Sequence, residues 1–331
     1  MGKTVKSRVI DALSNHVLEL ILMALCVYFA FAAPNFTKPN NLLNILRNIS
    51  FQGIIACGMT FVIISGEIDL SVGNAVAFYG CALAVITKAL SGSGISNVAA
   101  VLIAAAVIFA IALGIGASTS VLRHYFAVPS FISSLAFMTV LRGFGFILSG
   151  GYAVTAFEPW FNFLGGGYVF GVIPFPAVLF VAVVIVLWVI LTRTPLGREI
   201  YAVGGNIDAA RLSGINVFKV KTIAFCITTV LTALSGILTA SQIMSGTPTV
   251  ASGWEMNVIS AVIIGGASLN GGKGTIMGTA LGMVFLGIIL NGMTLMNISE
   301  YWQYVVKGLL ILTAVLINSM NPKLRKLGAA L

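Results

Sequence analysis

The chain has 331 residues, of which 59% are hydrophobic and only 8% are charged, and its formal net charge is +9. An average soluble domain carries roughly 25% charged residues, so this composition excludes a soluble fold with a polar surface. The apolar residues come in runs of about twenty, the length of a helix that crosses the hydrocarbon core of a bilayer. The sequence therefore predicts an all-α integral membrane protein.

Ten transmembrane helices are predicted in chain order, with both chain ends in the cytoplasm. The helices cover residues 17–33, 41–65, 70–87, 97–122, 129–148, 168–192, 222–241, 254–268, 275–295 and 301–319. We expect one transmembrane domain over residues 1–331, with a cytoplasmic N-terminus (1–16), a cytoplasmic loop (193–221) and a cytoplasmic tail (320–331). The first helix is expected to remain uncleaved, because no small-residue cleavage site stands out after it.

The orientation follows from Lys and Arg, which concentrate in cytoplasmic loops. With the N-terminus inside, thirteen of the 18 basic residues fall on the inner side, namely Lys3, Lys6, Arg8, Arg123, Arg193, Arg198, Arg211, Lys219, Lys221, Lys273, Lys323, Arg325 and Lys326. Only Lys38, Arg47 and Lys88 fall outside. The positive charge is therefore a topology signal, and we expect no nucleic-acid partner.

The metal-binding residue types show no suitable pattern. The cysteines lie inside apolar runs without C-x-x-C spacing, at Cys26, Cys57, Cys81 and Cys226, and His16 and His124 are far apart. This distribution predicts structural thiols and no metal site.

Two carboxylates, Glu67 and Asp69, stand between the second and third predicted helices, within the stretch SGEIDLSVG at 65–73. A charge inside the bilayer is costly, so these groups need a role. For Asp69 or Ser71 we expect capping, in which a side-chain oxygen accepts hydrogen bonds from free N–H groups at the start of the third helix. The alternative for Glu67 and Asp69 is a role in gating the pore or binding a coupling cation, and for Glu67 this alternative and capping both remain open. Glu67, Asp69 and Ser71 are therefore candidate gate or pore residues.

The inner loop 193–221 is longer than membrane anchoring requires. Within it we predict a short helix from Asp208 to Leu212, capped near Asn206 and closed by Gly214. Small residues give this helix a slim face that favours docking into a groove of a partner. The residues of the predicted docking segment are Gly197, Arg198, Gly205, Asn206, Asp208, Ala209, Ala210, Ser213 and Gly214.

A glycine-rich stretch at 265–275 is reminiscent of a phosphate-binding loop, G-x-x-x-x-G-K-[ST]. Aligned on Gly272 and Lys273, however, Ala267 replaces the first glycine and Gly274 the hydroxyl residue. The chain is therefore expected to bind no nucleotide. Glycines at every fourth residue from that point on (Gly274, Gly278 and Gly282) predict a helix-packing face. A short internal match, VIISG at 62–66 and VIIGG at 262–266, is also visible.

Residues 58–73, 204–215 and 262–282 resemble the signature stretches of ribose-type ABC importer permeases, a family that also includes xylose, arabinose, allose, galactofuranose and autoinducer-2 permeases. The similarity extends over residues 35–323 in the expected order and spacing. It departs at Glu67, where many relatives have glycine, so the gating inferred from relatives is least secure there.

The resemblance implies a ten-helix importer-type permease in the cell inner membrane, paired with a second copy as a homodimer or pseudo-dimer. It implies a periplasmic binding protein that delivers a sugar-like solute to the outer loops, of which 149–167 is the largest. It also implies cytoplasmic ABC ATPase subunits that use ATP and Mg²⁺ and receive the 197–215 loop as a coupling helix. The chain itself would then be a transport subunit, with no enzymatic activity and no bound cofactor.

The amides Asn74, Asn257 and Asn291 are candidates for lining the solute path, although each is equally suited to bonding neighbouring helices. Two other functions remain open. An ion-coupled secondary transporter would use Glu67, Asp69, Glu255 or Arg142 as coupling groups, and a permease of the same broad family would carry a nucleoside or a branched-chain amino acid.

Overall fold

The structure, a computed structural model, describes residues 17–328 and is almost entirely helical. Its α-helices in chain order are α1 (Val17–Ala32), α2 (Pro39–Ile64), α3 (Val72–Gly92), α4 (Asn97–Tyr125), α5 (Ser130–Ser149), α6 (Asn162–Gly166), α7 (Phe175–Arg193), α8 (Pro195–Gly205), α9 (Ile207–Leu212), α10 (Val217–Ile243), α11 (Trp254–Ile264), α12 (Ile276–Leu295) and α13 (Glu300–Gly328). A 3₁₀ turn (Pro159–Phe161) precedes α6, and strands β1 (Tyr168–Val169) and β2 (Ile173–Pro174) pair as an antiparallel hairpin. The predicted N-terminal segment 1–16 lies outside the described residues.

Seven of these helices are long and apolar enough to cross a membrane: α2, α3, α4, α5, α7, α10 and α12. Helices α1 and α11 are apolar but shorter, and α11 has only 11 residues. At about 1.5 Å per residue, α11 reaches roughly half of a ~30 Å hydrocarbon core. The structure therefore supports the predicted class, a helical membrane protein, and provides seven helices that are candidate membrane spans.

Helix α2 forms the centre of the bundle and packs against α7, α10, α11 and α12. Its second half is almost completely buried. The approach of α10 is close because of Gly58, where an added Cβ would lie 2.8 Å from the Cα of Thr228. Small residues at such a crossing permit the backbone contacts that hold helices together in lipid.

The sixth predicted helix was wrong at its start, because residues 168–174 form the β1–β2 hairpin and α7 begins at Phe175. Phe170 and Gly171 have φ values of +52° and +72°, which no helix accommodates. Pro174 lies immediately before α7 and has no N–H group with which to extend the hydrogen bonding of the hairpin. The apolar composition of the hairpin concealed this turn.

Other boundaries also differ from the prediction. The third helix is Val72–Gly92, five residues longer at its end, and the fourth continues to Tyr125. The loop 193–221 contains α8 before the predicted short helix, and α10 begins inside it at Val217. Helix α11 ends at Ile264, because Gly266 has a positive φ of +92°. Helix α13 continues past 319 to Gly328, through the basic tail.

Candidate coupling and translocation site

Helices α2 and α11 end in the same hydrogen-bonded turn. After α2, the Glu67 N–H donates to the Val62 carbonyl (3.1 Å) and Gly66 has a φ of +81°. After α11, the Ala267 N–H donates to the carbonyl five residues earlier (3.1 Å) and Gly266 has a φ of +92°. This is the Schellman arrangement, in which a left-handed glycine closes the helix. The short match between 62–66 and 262–266 thus corresponds to one structural motif used twice.

The three segments singled out in the sequence meet at these helix ends. The Gly272 N–H donates to the Ile64 carbonyl (2.8 Å), which joins the end of α2 to the α11–α12 loop. Gly204 of α8 lies between them, since an added Cβ would overlap the Ile64 carbonyl oxygen and lie 2.6 Å from the Gly272 nitrogen. The Tyr201 hydroxyl of α8 donates to the Gly274 carbonyl (2.6 Å). The α8–α9 region is therefore in direct backbone contact with both loops.

Residues 65–71 link α2 to α3 without helical structure and contact the start of α5. We call them the gate segment, after the gating role considered for Glu67. The Ile68 N–H donates to the Ser130 hydroxyl (3.3 Å), and the Leu70 N–H donates to the Ser134 hydroxyl (3.0 Å). Non-helical backbone in a membrane protein must find its hydrogen bonds within the protein. The serines of α5 supply them here, one helical turn apart.

Asp69 is buried in the gate segment, with 1% of its surface exposed. Its Oδ1 accepts hydrogen bonds from the N–H (2.9 Å) and the hydroxyl (2.6 Å) of Ser71, the residue before α3. Burial raises the pKa of the Asp69 carboxyl, against the effect of these two hydrogen bonds. The side chain of Ser71 itself makes no capping hydrogen bond to α3.

Glu67 is buried and ion-paired with two cations from distant helices. Its Oε1 contacts the Nζ of Lys221, at the start of α10, and the Nε of Arg123 near the end of α4 (3.1 Å). Burial alone would raise the pKa of the Glu67 carboxyl, but the charge of Lys221 and hydrogen bonds from Lys221, Ser130 and Arg123 outweigh it and hold the pKa below its ordinary value. The cluster fastens the gate segment to α4 and α10.

Helix α9 lies at the surface, and its start is capped by Asn206. The Asn206 Oδ1 accepts from the N–H groups of Asp208 (3.0 Å) and Ala209 (3.0 Å), and Gly214 closes the helix with a φ of +80°. Asp208 and Ala209 are exposed, whereas Ala210 is buried against the body of the protein. The face available to a partner is thus the one that carries Ala209.

The remaining residues of the predicted docking segment divide in the same way. Arg198, Gly205 and Ser213 are exposed, and Gly197 is buried where an added Cβ would overlap the Leu191 carbonyl. Leu212, which the sequence did not single out, is 91% exposed.

A basic cleft lies between α9 and the Glu67 cluster. Its volume is about 110 Å³, and its lining residues are Ser120, Arg123, His124, Ile207, Arg211, Val217, Phe218 and Lys221. Arg123, Arg211 and Lys221 give the cleft its positive charge.

The three candidate path amides occupy different places. Asn74 donates to the Met138 carbonyl of α5 (3.0 Å), beside the gate segment. Asn257 of α11 donates to the side-chain Oε1 of Gln52 in α2 (3.0 Å). Asn291 of α12 and Asn41 of α2 form a reciprocal amide pair, with hydrogen bonds of 3.0 and 2.9 Å.

The regularly spaced glycines lie where α12 passes α11 closely. An added Cβ at Gly278 would overlap the Gly265 carbonyl, and one at Gly282 would overlap the Ala261 carbonyl. Gly274 lies just before α12, with the Cβ of Ala267 2.9 Å from the position of its missing Cβ.

The two other coupling groups considered in the sequence are Glu255 and Arg142, and the charge of Arg142 acts on Glu255. Glu255 is buried, its carboxylate lies where a side chain at Gly73 would be, and its Oε2 has no hydrogen-bond partner among residues 17–328. Arg142 lies in α5 and is exposed. Across the described part of the chain, no group of three or more His, Cys, Asp and Glu is placed to hold a metal ion.

Sequence reasoning missed Lys221 and Arg123 as partners of Glu67, and it missed Ser130 and Ser134 as partners of the gate segment. One signal was available, because Lys221 is a cation at the start of an apolar helix and needed a counter-charge. The hydroxyl residues of α5 carry no such signal.

The chain resembles known transport proteins over nearly its whole length. A family model described as branched-chain amino acid transport system / permease component matches residues 41–315. A ribose import permease protein of Bacillus subtilis (strain 168) is 39% identical over 299 residues, 90% of each chain. The ribose import permease protein of Escherichia coli (strain K12) is 40% identical over 304 residues, 91% of this chain and 92% of that one. The L-arabinose transport system permease protein of the same strain is 35% identical over 329 residues, 96% and 94%. No solved structure matches the chain.

Proposed function

We propose, because this chain belongs to the family of branched-chain amino acid transport system permease components, that it is the membrane channel subunit of an ATP-driven ABC importer for a sugar-like solute. Its relatives named for ribose and arabinose are 35 to 40% identical over at least nine-tenths of the chain. As such a permease, it is a transport component of the cell inner membrane and not an enzyme.

The proposed topology has ten spans, formed by α1–α5, α7 and α10–α13, in one domain with both termini in the cytoplasm. The support is the distribution of basic residues together with the seven long apolar helices. In this topology α9, the basic cleft and the ends of α2 and α11 all lie on the cytoplasmic side.

The observation that carries the coupling mechanism is the backbone contact of Gly204 with Ile64 and Gly272. A cytoplasmic ABC ATPase that binds ATP and Mg²⁺ would hold the exposed face of α9. Movement of α8 and α9 would then displace the ends of α2 and α11 together, since there is no side chain between these backbones to absorb it. Movement is ordinarily transmitted between two sites by rigid elements that have two alternative arrangements.

Two further partners complete the proposed importer. A periplasmic binding protein would dock on the outer loops, of which the predicted loop 149–167 is the longest. A second copy of the permease would cover α5, because Arg142 is exposed in this helix and a charge facing lipid costs ~2.5 kcal/mol or more. The support for a homodimer is that pairing of this face would shelter Arg142 in a water-filled path.

The test is ribose uptake and ATP hydrolysis in sealed proteoliposomes that hold the permease together with a candidate ATPase and a candidate binding protein. Ala209→Arg places a long cation on the exposed face of α9 and should uncouple uptake from hydrolysis without unfolding the chain. Ala210 is unsuitable because it is buried.

The matched control is Ala89→Arg, at the exposed outer end of α3, which should leave coupling unchanged. If no ATPase co-purifies and uptake follows an ion gradient, the importer function is refuted and the buried carboxylates Asp69 and Glu255 become the coupling candidates.

A further inference from the structure

An amide stripe runs along one side of the first half of α2. Asn40, Asn44, Asn48 and Gln52 recur at every fourth residue, and residues four apart lie on the same side of a helix. The stripe is about 18 Å long at ~1.5 Å per residue. Asn40, Asn44 and Asn48 are exposed and Gln52 is half-buried. Amides facing hydrocarbon would lack hydrogen-bond partners, so this side of α2 must meet water or a polar solute.

A groove opens beside the stripe, between α2 and α12. Its volume is about 220 Å³, and its lining residues are Ile45, Asn48, Ile49, Gln52, Met283, Gly287, Leu290, Asn291 and Thr294. None of these residues is charged. Apolar walls with a few convergent polar groups are typical of small-molecule sites.

The hydrogen bonds of the groove leave its polar groups partly free. The side-chain Oε1 of Gln52 accepts from Asn257, which leaves the Gln52 NH₂ group available. The reciprocal pair with Asn41 fixes the orientation of Asn291. The Asn48 amide makes no hydrogen bond to any of residues 17–328. An amide supplies both donors and an acceptor, which matches hydroxyl groups that donate and accept.

From this arrangement we infer that the α2–α12 groove is a binding site for an uncharged, hydroxyl-rich solute, in the outer half of the permease. The inference rests on the proposed topology and deepens the proposed function. A zwitterionic amino acid is excluded as the ligand because neither its carboxylate nor its ammonium group would find a counter-charge among the lining residues.

The site is tested by thiol protection on the full chain in nanodiscs. Asn48→Cys is introduced into a variant in which the four native cysteines are replaced by alanine. The rate of its alkylation by a membrane-impermeant maleimide is then measured. At a D-ribose concentration about ten times the Kd, alkylation should slow about tenfold, since the free fraction falls as 1/(1+[L]/Kd). L-leucine at the same concentration should give no protection.

Thr294→Cys, on the opposite wall of the groove, is the second reporter and covers the case in which the first variant does not fold. Val98→Cys, exposed at the outer end of α4, is the control and should react equally with and without ribose. Protection by leucine alone would overturn the solute class, and protection by neither ligand at Asn48 and Thr294 would overturn the site.

A binding measurement in the Thr294→Cys variant complements this test. Gln52→Leu should raise the D-ribose concentration that gives half-maximal thiol protection about fivefold, the fold-change of one ordinary hydrogen bond. Asn97→Leu, the same kind of change outside the groove, should not. Labelling needs neither the ATPase nor the binding protein, so failure of the importer assay would leave it unaffected. Conversely, coupled uptake without thiol protection would refute only the groove.

Discussion

Replacement of the buried Glu67 carboxylate is the most informative change in the molecule. Glu67→Gln keeps the shape of the side chain but leaves Lys221 without its counter-charge, and the Lys221 side chain is only 7% exposed. Removing one partner of a buried ion pair typically costs about 3–5 kcal/mol, because the other charge stays buried. The Arg123 contact adds little, about 0–1 kcal/mol, because that side chain is 37% exposed and screened by solvent. We expect a loss of about 3 kcal/mol in the free energy of unfolding.

The assay is a reversible SDS unfolding titration of the purified protein, followed by tryptophan fluorescence. Glu158→Gln, an exposed carboxylate in an outer loop, is the control and should stay within about 0.5 kcal/mol of wild type. Adding Lys221→Met to Glu67→Gln should recover most of the loss, since replacing both members of a buried pair is often nearly neutral. If the two single changes simply add in the double variant, the pair is not coupled and the reasoning fails.

The same pair predicts a pH dependence. The pKa of Glu67 in the folded protein is held below its ordinary value of 4.5. The stabilisation is therefore complete above about pH 4.5 and is lost as the pH falls through the lower folded-state pKa. Wild type should lose stability over this acidic range, and Glu67→Gln should lose less than wild type does.

Three further predictions concern local geometry. Gly204→Ala should abolish coupled uptake, because its Cβ would overlap a backbone carbonyl of α2, whereas Gly92→Ala, at the end of α3 with nothing within 4 Å, should transport normally. Asn206→Ala removes both capping hydrogen bonds of α9, about 1 kcal/mol, and should lower the affinity for the ATPase about fivefold in a pull-down titration. Gly282→Ala should reduce the yield of folded protein in gel filtration by crowding α11, while Gly114→Ala, which faces open space, should not.

The parts of the structure that depend on neighbouring residues could be predicted from the sequence. The short helix after Asn206 and its end at Gly214 follow from local capping and glycine rules, and the structure has this helix at Ile207–Leu212. The hairpin at 168–174 was missed because its side chains are as apolar as those of a span. Its turn depends on the backbone angles at Phe170 and Gly171, which hydropathy does not report.

The candidate site could be predicted only as separate pieces. Glu67 and Lys221 are 154 positions apart, and nothing near either residue specifies the other. The contact of Gly204 with Ile64 likewise depends on how three helices cross. The amide stripe of α2, by contrast, can be predicted from the sequence. Residues spaced four apart lie on the same side of a helix, however that helix packs.

Helix α2 connects the two ends of the proposed mechanism. Its last residue, Ile64, is held by Gly204 and Gly272, and its first half carries the amide groove. The helix is continuous over 26 residues, about 39 Å at ~1.5 Å per residue, with no proline beyond its first position to bend it. A displacement imposed at Ile64 by α8 is therefore transmitted to Gln52 and Asn48 as movement of a stiff rod. In the proposed mechanism the groove would then change shape when the ATPase moves. None of the described residues that line the groove is charged, and the charged cluster around Glu67 lies at the opposite end of α2.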